Sequence, residues 1–112
     1  MLKEVHMPKY LVQANYVGEG VKGLLKEGGS SRRAAIEKLF ESVGGKVEAF
    51  YFAFGQTDVF VVADVPDNVS AAALSLTVNA TGTATSKVTV LMTAEEMDAA
   101  AKKTVSYRAP GL

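Results

Sequence analysis

Two groupings of side chains in this chain have the types and spacing to do chemistry. The first is Gly28-Gly29-Ser30-Ser31-Arg32-Arg33, where two glycines and two hydroxyls lead into two guanidinium groups at what reads as a helix start. Free amide hydrogens, the helix dipole and the arginines, Arg33 among them, could hold a phosphate or a carboxylate. The same residues also serve as a helix stop and cap with solvated arginines, and neither a phosphate-loop spacing nor a Gly-x-Gly-x-x-Gly pattern is present. The second grouping is Asn15, Tyr16, Tyr51, Asp58 and Lys87, with Asn79 near the last crossover. These lie at or near the ends of apolar segments, and a sandwich fold could bring several of them to one small-molecule cleft. Asp58, beside a turn and ahead of an apolar strand, could act as an acid or base with its pKa raised by partial burial. Each also has an ordinary role: a strand-end or helix-end hydrogen bonder, a turn aspartate bonded to backbone amides, a lysine whose stem packs while its ammonium reaches water.

Composition narrows the chemistry. The chain has no cysteine and one histidine, His6, so thiolate sites, disulfides and histidine metal clusters are ruled out, and neither metal nor cofactor is expected. Lys plus Arg and Asp plus Glu are both 12, which leaves no global field to attract nucleic acid or an anionic membrane. No apolar run approaches the roughly 20 residues that span a bilayer. The start, MLKEVHMPKY, is too charged for the apolar region of a signal peptide, so cytoplasmic residence is the expectation. Residues 1–6, followed by a second methionine at Met7, are set outside the fold, and residues 7–112 form one domain.

The elements that must position the polar residues follow from periodicity. Lys9 to Tyr16 reads as a first strand and Glu19 to Glu27 as a short helix ending at Gly28. Ile36, Leu39, Phe40 and Val43 recur at helical spacing, with Ser30 or Ser31 as the cap and Gly44-Gly45 as the stop. Lys46 to Phe54 and Thr57 to Asp64 form a hairpin about the turn Gly55-Gln56-Thr57-Asp58. Pro66-Asp67-Asn68 opens a helix with Ala72, Ala73 and Leu76 on one face, ending between Asn79 and Gly82. Thr85 to Met92 is the last strand. Thr93-Ala94-Glu95-Glu96 then forms a capping box for a terminal helix, with Met92 and Met97 as a hydrophobic staple. The tail from Val105 to Leu112 reads as irregular.

The order β-α-β-β-α-β plus a terminal helix is that of an α+β, ferredoxin-like sandwich. Its sheet has helices on one face only. Phe50, Phe52 and Phe54 share one parity of the second strand; if that parity faces away from the helices, it forms a surface that a partner sheet would cover. The expected partner is a second copy of the chain, as a homodimer or higher homo-oligomer.

MPKYL, EGVKGLLKEGGSSRR, FYFAFG followed by DVFVV, VPDN, VNATG, LMTAEEMD and SYRAPG are the segments by which Met7 to Gly111 resembles the GYD domain family, small bacterial proteins of mostly unassigned function. The Gly-Tyr-Asp signature falls at the hairpin turn, with Gly55 and Asp58 in the matching places and Thr57 where the family has tyrosine. The family is similar to the dimeric α/β-barrel superfamily, and the resemblance implies a ferredoxin-like protomer whose sheet pairs with a partner's to close a barrel. Tyr107-Arg108-Ala109-Pro110 resembles a family tail segment, either docked on a neighbouring subunit or frayed.

The expected function is that of a small homo-oligomeric domain binding a small apolar or aromatic ligand through Asn15, Tyr16, Arg33, Tyr51, Asp58 and Lys87, without a cofactor. The superfamily implies an alternative, a cofactor-independent isomerase or oxygenase with Tyr51, Asp58 or Lys87 handling protons. A third reading is a structural or regulatory assembly module.

Overall fold

A computed structural model describes residues 7–112; the placement of residues 1–6 outside the fold concerns residues beyond those described. The elements run β1 (Lys9–Tyr16), α1 (Glu19–Glu27), α2 (Gly29–Glu41), β2 (Lys46–Phe52), β3 (Val59–Asp64), α3 (Asn68–Ala80), β4 (Ala84–Leu91) and α4 (Ala94–Ala101). All strand pairs are antiparallel and the sheet order is β2-β3-β1-β4. This is the ferredoxin-like α+β fold, with β1 and β3 in the middle and β2 and β4 at the edges.

Local chemistry explains most of the boundaries. Gly44 closes α2 at φ 79°, and the Gly45 amide donates to the Phe40 carbonyl at 2.8 Å, a glycine-dependent C-terminal stop. A Cβ on Gly45 would lie 2.8 Å from the Asp64 carbonyl, so only glycine allows this close crossing of β3. Asp67 caps α3 by accepting the Ser70 amide at 2.8 Å. Thr93 and Glu96 make the reciprocal capping box of α4.

The start of α2 differs from expectation. Neither Ser30 nor Ser31 is the cap, because Gly28 fills that position at φ 81°. Its amide donates to Leu24 and ends α1, while its carbonyl accepts from Arg32 and begins α2. No residue is left between the two helices to act as a serine cap, and both hydroxyls fall within the first turn.

The core lies on the helix side of the sheet. Tyr10, Val59, Val61, Ala63 and Val65 meet Phe40 of α2 and Ala71 and Leu74 of α3, with Ile36, Leu39 and Val43 packed beside them. The phenylalanine parity of β2 faces this same side, which corrects the reading of Phe50, Phe52 and Phe54 as an outward assembly surface. Phe50 pairs with Val61 and is buried, and Phe52 packs edge-on against it with centroids 5.2 Å apart. The Phe52 ring reaches Gly29 at the start of α2, where a Cβ would sit 3.0 Å from it. Strand β2 ends at Phe52 and β3 begins at Val59, so Phe54 lies in the connection, fully exposed. The stripe of α3 also shifts by one position: Ala71 and Leu74 are buried, whereas Ala72, Ala73 and Leu76 face water.

On the other face, Leu11, Phe60, Val62 and Leu91 are half-buried among Lys9, Gln13, Asp64 and Lys87. Lys9 donates to Asp64 at 2.8 Å and to Glu48 at 2.7 Å, and these hydrogen bonds, that to Asp64 first, push its pKa up to about 12. Helix α4 buries no residue, and the irregular tail leaves Val105, Tyr107 and Leu112 exposed. The Cα radius of gyration is accordingly 17.5 Å, against about 13 Å for a closely packed domain of this length. No helix among the described residues is long and apolar enough to cross a membrane.

Candidate functional site

The principal contacts of α2 with the sheet are to β2 at one edge, and those of α3 are to β4 at the other. The middle of the sheet is therefore incompletely roofed, and a cleft of about 400 Å³ remains between the helices and the strands. Its floor is Val12, Ala14 and Tyr16 of β1 with Val59 and Val61 of β3, and its walls are Ile36 and Leu39 of α2 and Leu74 and Val78 of α3. The alternation of β1 dictates this, since residues 10, 12, 14 and 16 share one face. Small residues at Ala14, Ala35 and Ala84 leave room where larger ones would meet across the gap.

Helix α1 closes one end. The Val17 amide donates to the Thr83 carbonyl at 3.0 Å, and α1 comes so near this strand entry that a Cβ on Gly20 would lie 1.9 Å from the same oxygen. Gly20 thus permits a contact that any side chain would break. At this end the lining includes Glu19, Leu24, Glu27 and Arg32.

Polar groups gather at the same end. Arg32 Nη1 donates to Glu27 Oε1 at 3.0 Å, while Arg32 Nε is buried and has no hydrogen-bond partner among the described residues. Burial pushes the Tyr16 phenol above the ordinary tyrosine range, and the neighbouring Arg32 guanidinium pulls the other way by its charge and by hydrogen bonding. Across the cleft, Ser75 and Ser86 share a hydrogen bond at 2.9 Å, and Asn79 Oδ1 accepts from the Ser86 amide at 2.9 Å, which pins the start of β4. The cleft is a largely apolar cavity with one polar end, suited to an apolar molecule bearing few polar atoms.

Among the residues expected from sequence to bind a ligand, Tyr16 lines this cleft and the others lie elsewhere. Arg33 points along the outer side of α2, 3.9 Å from Glu37, and its neighbour Arg32 takes the inner position. Asn15 and Asp58 form a clip between strands: Asn15 Oδ1 accepts from the Asp58 amide at 2.9 Å, and Asp58 Oδ2 accepts from the Tyr16 amide at 2.9 Å. The Asp58 amide also donates to the Ala14 carbonyl, and its carbonyl accepts from Ala53 across the hairpin. Tyr51, opposite Phe60, and Lys87, opposite Gln13, belong to the sheet face without helices. Tyr51 is 70% exposed there. Thr57, at the signature tyrosine position, lies 3.4 Å from Gln13 Nε2.

The sequence points to Arg32 only together with Arg33, as part of a possible anion site, and does not single out Glu27, Ser75 or Ser86. The signal for Arg32 was present: it stands four, seven and eight residues before Ile36, Leu39 and Phe40, on the core stripe of α2, while Arg33 shares the opposite stripe with Glu37. Among the described residues no group of three His, Asp or Glu side chains could hold a metal ion.

A family model described as the GYD domain matches residues 10–101. No curated protein and no solved structure matches the chain.

Proposed function

The chain belongs to the GYD domain family, and from that premise we propose that it works by binding a small apolar or aromatic molecule in the cleft between α2, α3 and the sheet. The observation that carries this reading is the hollow itself. About 400 Å³ lies over the middle strands, within the size range of small-molecule sites and bounded by aliphatic side chains. A core assembled only for stability would fill such a gap with methyl groups, since interiors pack to crystal density. An isomerase or oxygenase reading draws less support, because Tyr51, Asp58 and Lys87, its proton-handling candidates, do not line the cleft.

The binding reading is tested with 2-isopropylnaphthalene, an uncharged aromatic probe, titrated into the full chain and followed by methyl NMR. The Ala14, Ala35 and Ala84 methyls should shift together while the Ala49 methyl, on β2 away from the cleft, stays in place. Absence of any shift in the first three, or shifts confined to the opposite sheet face, would refute the assignment.

The protein is further proposed to act as a homodimer joined through the sheet face without helices. Support comes from Leu11, Phe60 and Val62, apolar residues clustered at the centre of that face, and from α4 and the tail, which bury nothing within their own protomer. Sedimentation at micromolar concentration should give twice the chain mass, and a monomer would contradict the proposal. Cytoplasmic residence is proposed with it, resting on the absence of cysteine.

A further inference from the structure

We infer that the ligand is a neutral alcohol or phenol, its hydrocarbon part on the Val12 and Ala14 floor and its hydroxyl donating to Ser75 Oγ. The inference rests on the cleft being a ligand site and adds the chemical class. Its ground is a count of protons among three side chains. Ser86 Oγ lies 2.9 Å from Ser75 Oγ and 3.1 Å from Asn79 Oδ1, and a serine hydroxyl has a single hydrogen to share between those two contacts. Asn79 decides where it goes. Its Oδ1 accepts from the Ser86 amide at 2.9 Å, which fixes the oxygen, and not the amide nitrogen, at that position. Two oxygens 3.1 Å apart need a proton between them and an amide oxygen carries none, so the Ser86 hydroxyl donates to Asn79. The other contact must then run the opposite way, with Ser75 donating and Ser86 accepting.

Every hydrogen in this row is thereby committed in one direction, from Ser75 to Ser86 to Asn79. Ser75 Oγ, at the head of the row, has spent its proton and receives none from the described residues. What it has left to offer is an acceptor. Ser86 stands opposite Ala14 in the pairing of β1 with β4, and both serines are half-buried members of the cleft lining. The acceptor therefore stands beside the floor on which an apolar body would rest. A ligand O–H gains a hydrogen bond there, whereas a ketone, an ether or a carboxylate sets oxygen against oxygen. A charged group would in addition lose its hydration among aliphatic walls. A hydroxyl supplies the donor with the fewest further polar atoms to satisfy.

Three ligands of one ring system test this: 2-naphthol, 2-methoxynaphthalene and 2-isopropylnaphthalene, each titrated at neutral pH into the wild-type chain and into Ser75→Ala. The first donates and the second only accepts, while the third does neither. In the wild type 2-naphthol should bind roughly fivefold more tightly than the ether, the worth of one neutral hydrogen bond. Ser75→Ala should weaken 2-naphthol by roughly fivefold to tenfold and leave the ether and the hydrocarbon within about twofold, a selective loss that a general change in the cleft wall would not give. If Ser75→Ala does not fold, the wild-type ranking alone decides. Binding of 2-naphthol that survives the substitution, or a wild type that prefers the ether, would overturn the hydroxyl assignment while the cleft stands. Failure of all three to bind would remove the ligand site itself, and the hydroxyl with it.

Discussion

Tyr10 and Tyr16 stand on the same face of β1, one at each end of the helix–sheet layer, and they live in opposite circumstances. Tyr10 is buried to 1% exposure, its hydroxyl donating to Asn68 Oδ1, with Phe40, Ala63 and Val65 closed around it. Tyr16 is half-buried at the polar end of the cleft, beside the Arg32 guanidinium. Both tyrosines border the cleft, but the Tyr10 end is the more closed, its neighbours Phe40, Val65 and Ala71 all buried, and the Tyr16 end the more open, with Tyr16 and Arg32 half-buried beside a helix that leans on the strand entry. The difference teaches that packing is divided along a single strand: the Tyr10 end holds the layers together, and the Tyr16 end is where the proposed binding would be felt most.

The strongest way to break that division is at the closed end. Phe40→Ala should lower the unfolding free energy by about 3–5 kcal/mol, the usual cost of removing a buried phenyl ring, with a matching loss in a urea melt. A loss below about 1 kcal/mol would mean that the closed end is not the anchor. Next in size is Gly20→Ala, where the new methyl must displace the Thr83 carbonyl. About 1–3 kcal/mol of destabilisation is expected, the usual range for a forced overpacking. Because this contact forms the end wall, binding of 2-isopropylnaphthalene should weaken with it; unchanged binding would detach α1 from the site.

Two smaller substitutions sharpen the contrast. Asp67→Ala removes the cap of α3 near the closed end and should cost about 1 kcal/mol, read as a lower thermal midpoint. The hydrogen bonds from Ser70 hold the Asp67 carboxyl below its ordinary pKa of 3.8, so this contribution is complete above that value and fades as the pH falls through the lowered one. Ala14→Val at the open end adds apolar volume to a cavity and should leave stability unchanged or raise it by up to about 1 kcal/mol, while binding of the naphthalene probe is lost. A clear destabilisation would show that the hollow is already filled.

The smallest effect is in alkaline solution. Tyr10 and Tyr16 are raised above 10.0 by burial and Lys9 is raised from 10.5 to about 12 by Asp64 and Glu48. Above pH 10 the unfolded chain releases these protons first, so stability should fall gradually as the pH rises towards 12. Tyr10→Phe and Lys9→Met should each flatten that decline, as followed by urea melts at stepped pH.

How much of this could be read from residues depended on how sharply each pattern was punctuated. The boundaries of α1 were plain because Gly28 marks its end, and the core stripe of α2 because Ile36, Leu39, Phe40 and Val43 contrast with charged neighbours. Helix α3 offered no such contrast: Val69, Ala72, Ala73 and Leu76 are as apolar as Ala71, Leu74 and Val78, so two stripes satisfied the helical period and only the packing against β4 chose between them. The phenylalanines of β2 were ambiguous for a related reason. Parity groups Phe50 with Phe52, but which side meets the helices depends on the pairing with Val59 and Val61. The site was the least legible part. Tyr16 ends a strand of known parity and borders the cleft, whereas Asn15, Tyr51 and Lys87 fall on the sheet face without helices and Asp58 spends its carboxylate on the Tyr16 amide.

The sheet order carries a consequence for how this chain is made. Strand β1, made before the other three, occupies a central place whose two neighbours are β3 and β4, with Lys9 paired to both Asp64 and Leu91. Its hydrogen-bonding groups must wait unpaired until β3 and β4 are made, and its last partner is complete only at residue 91. Such distant pairing slows folding and delays it until β4 has been made. A stalled or truncated chain lacking β4 would present β1 as an open edge, the form of this protein most prone to aggregate.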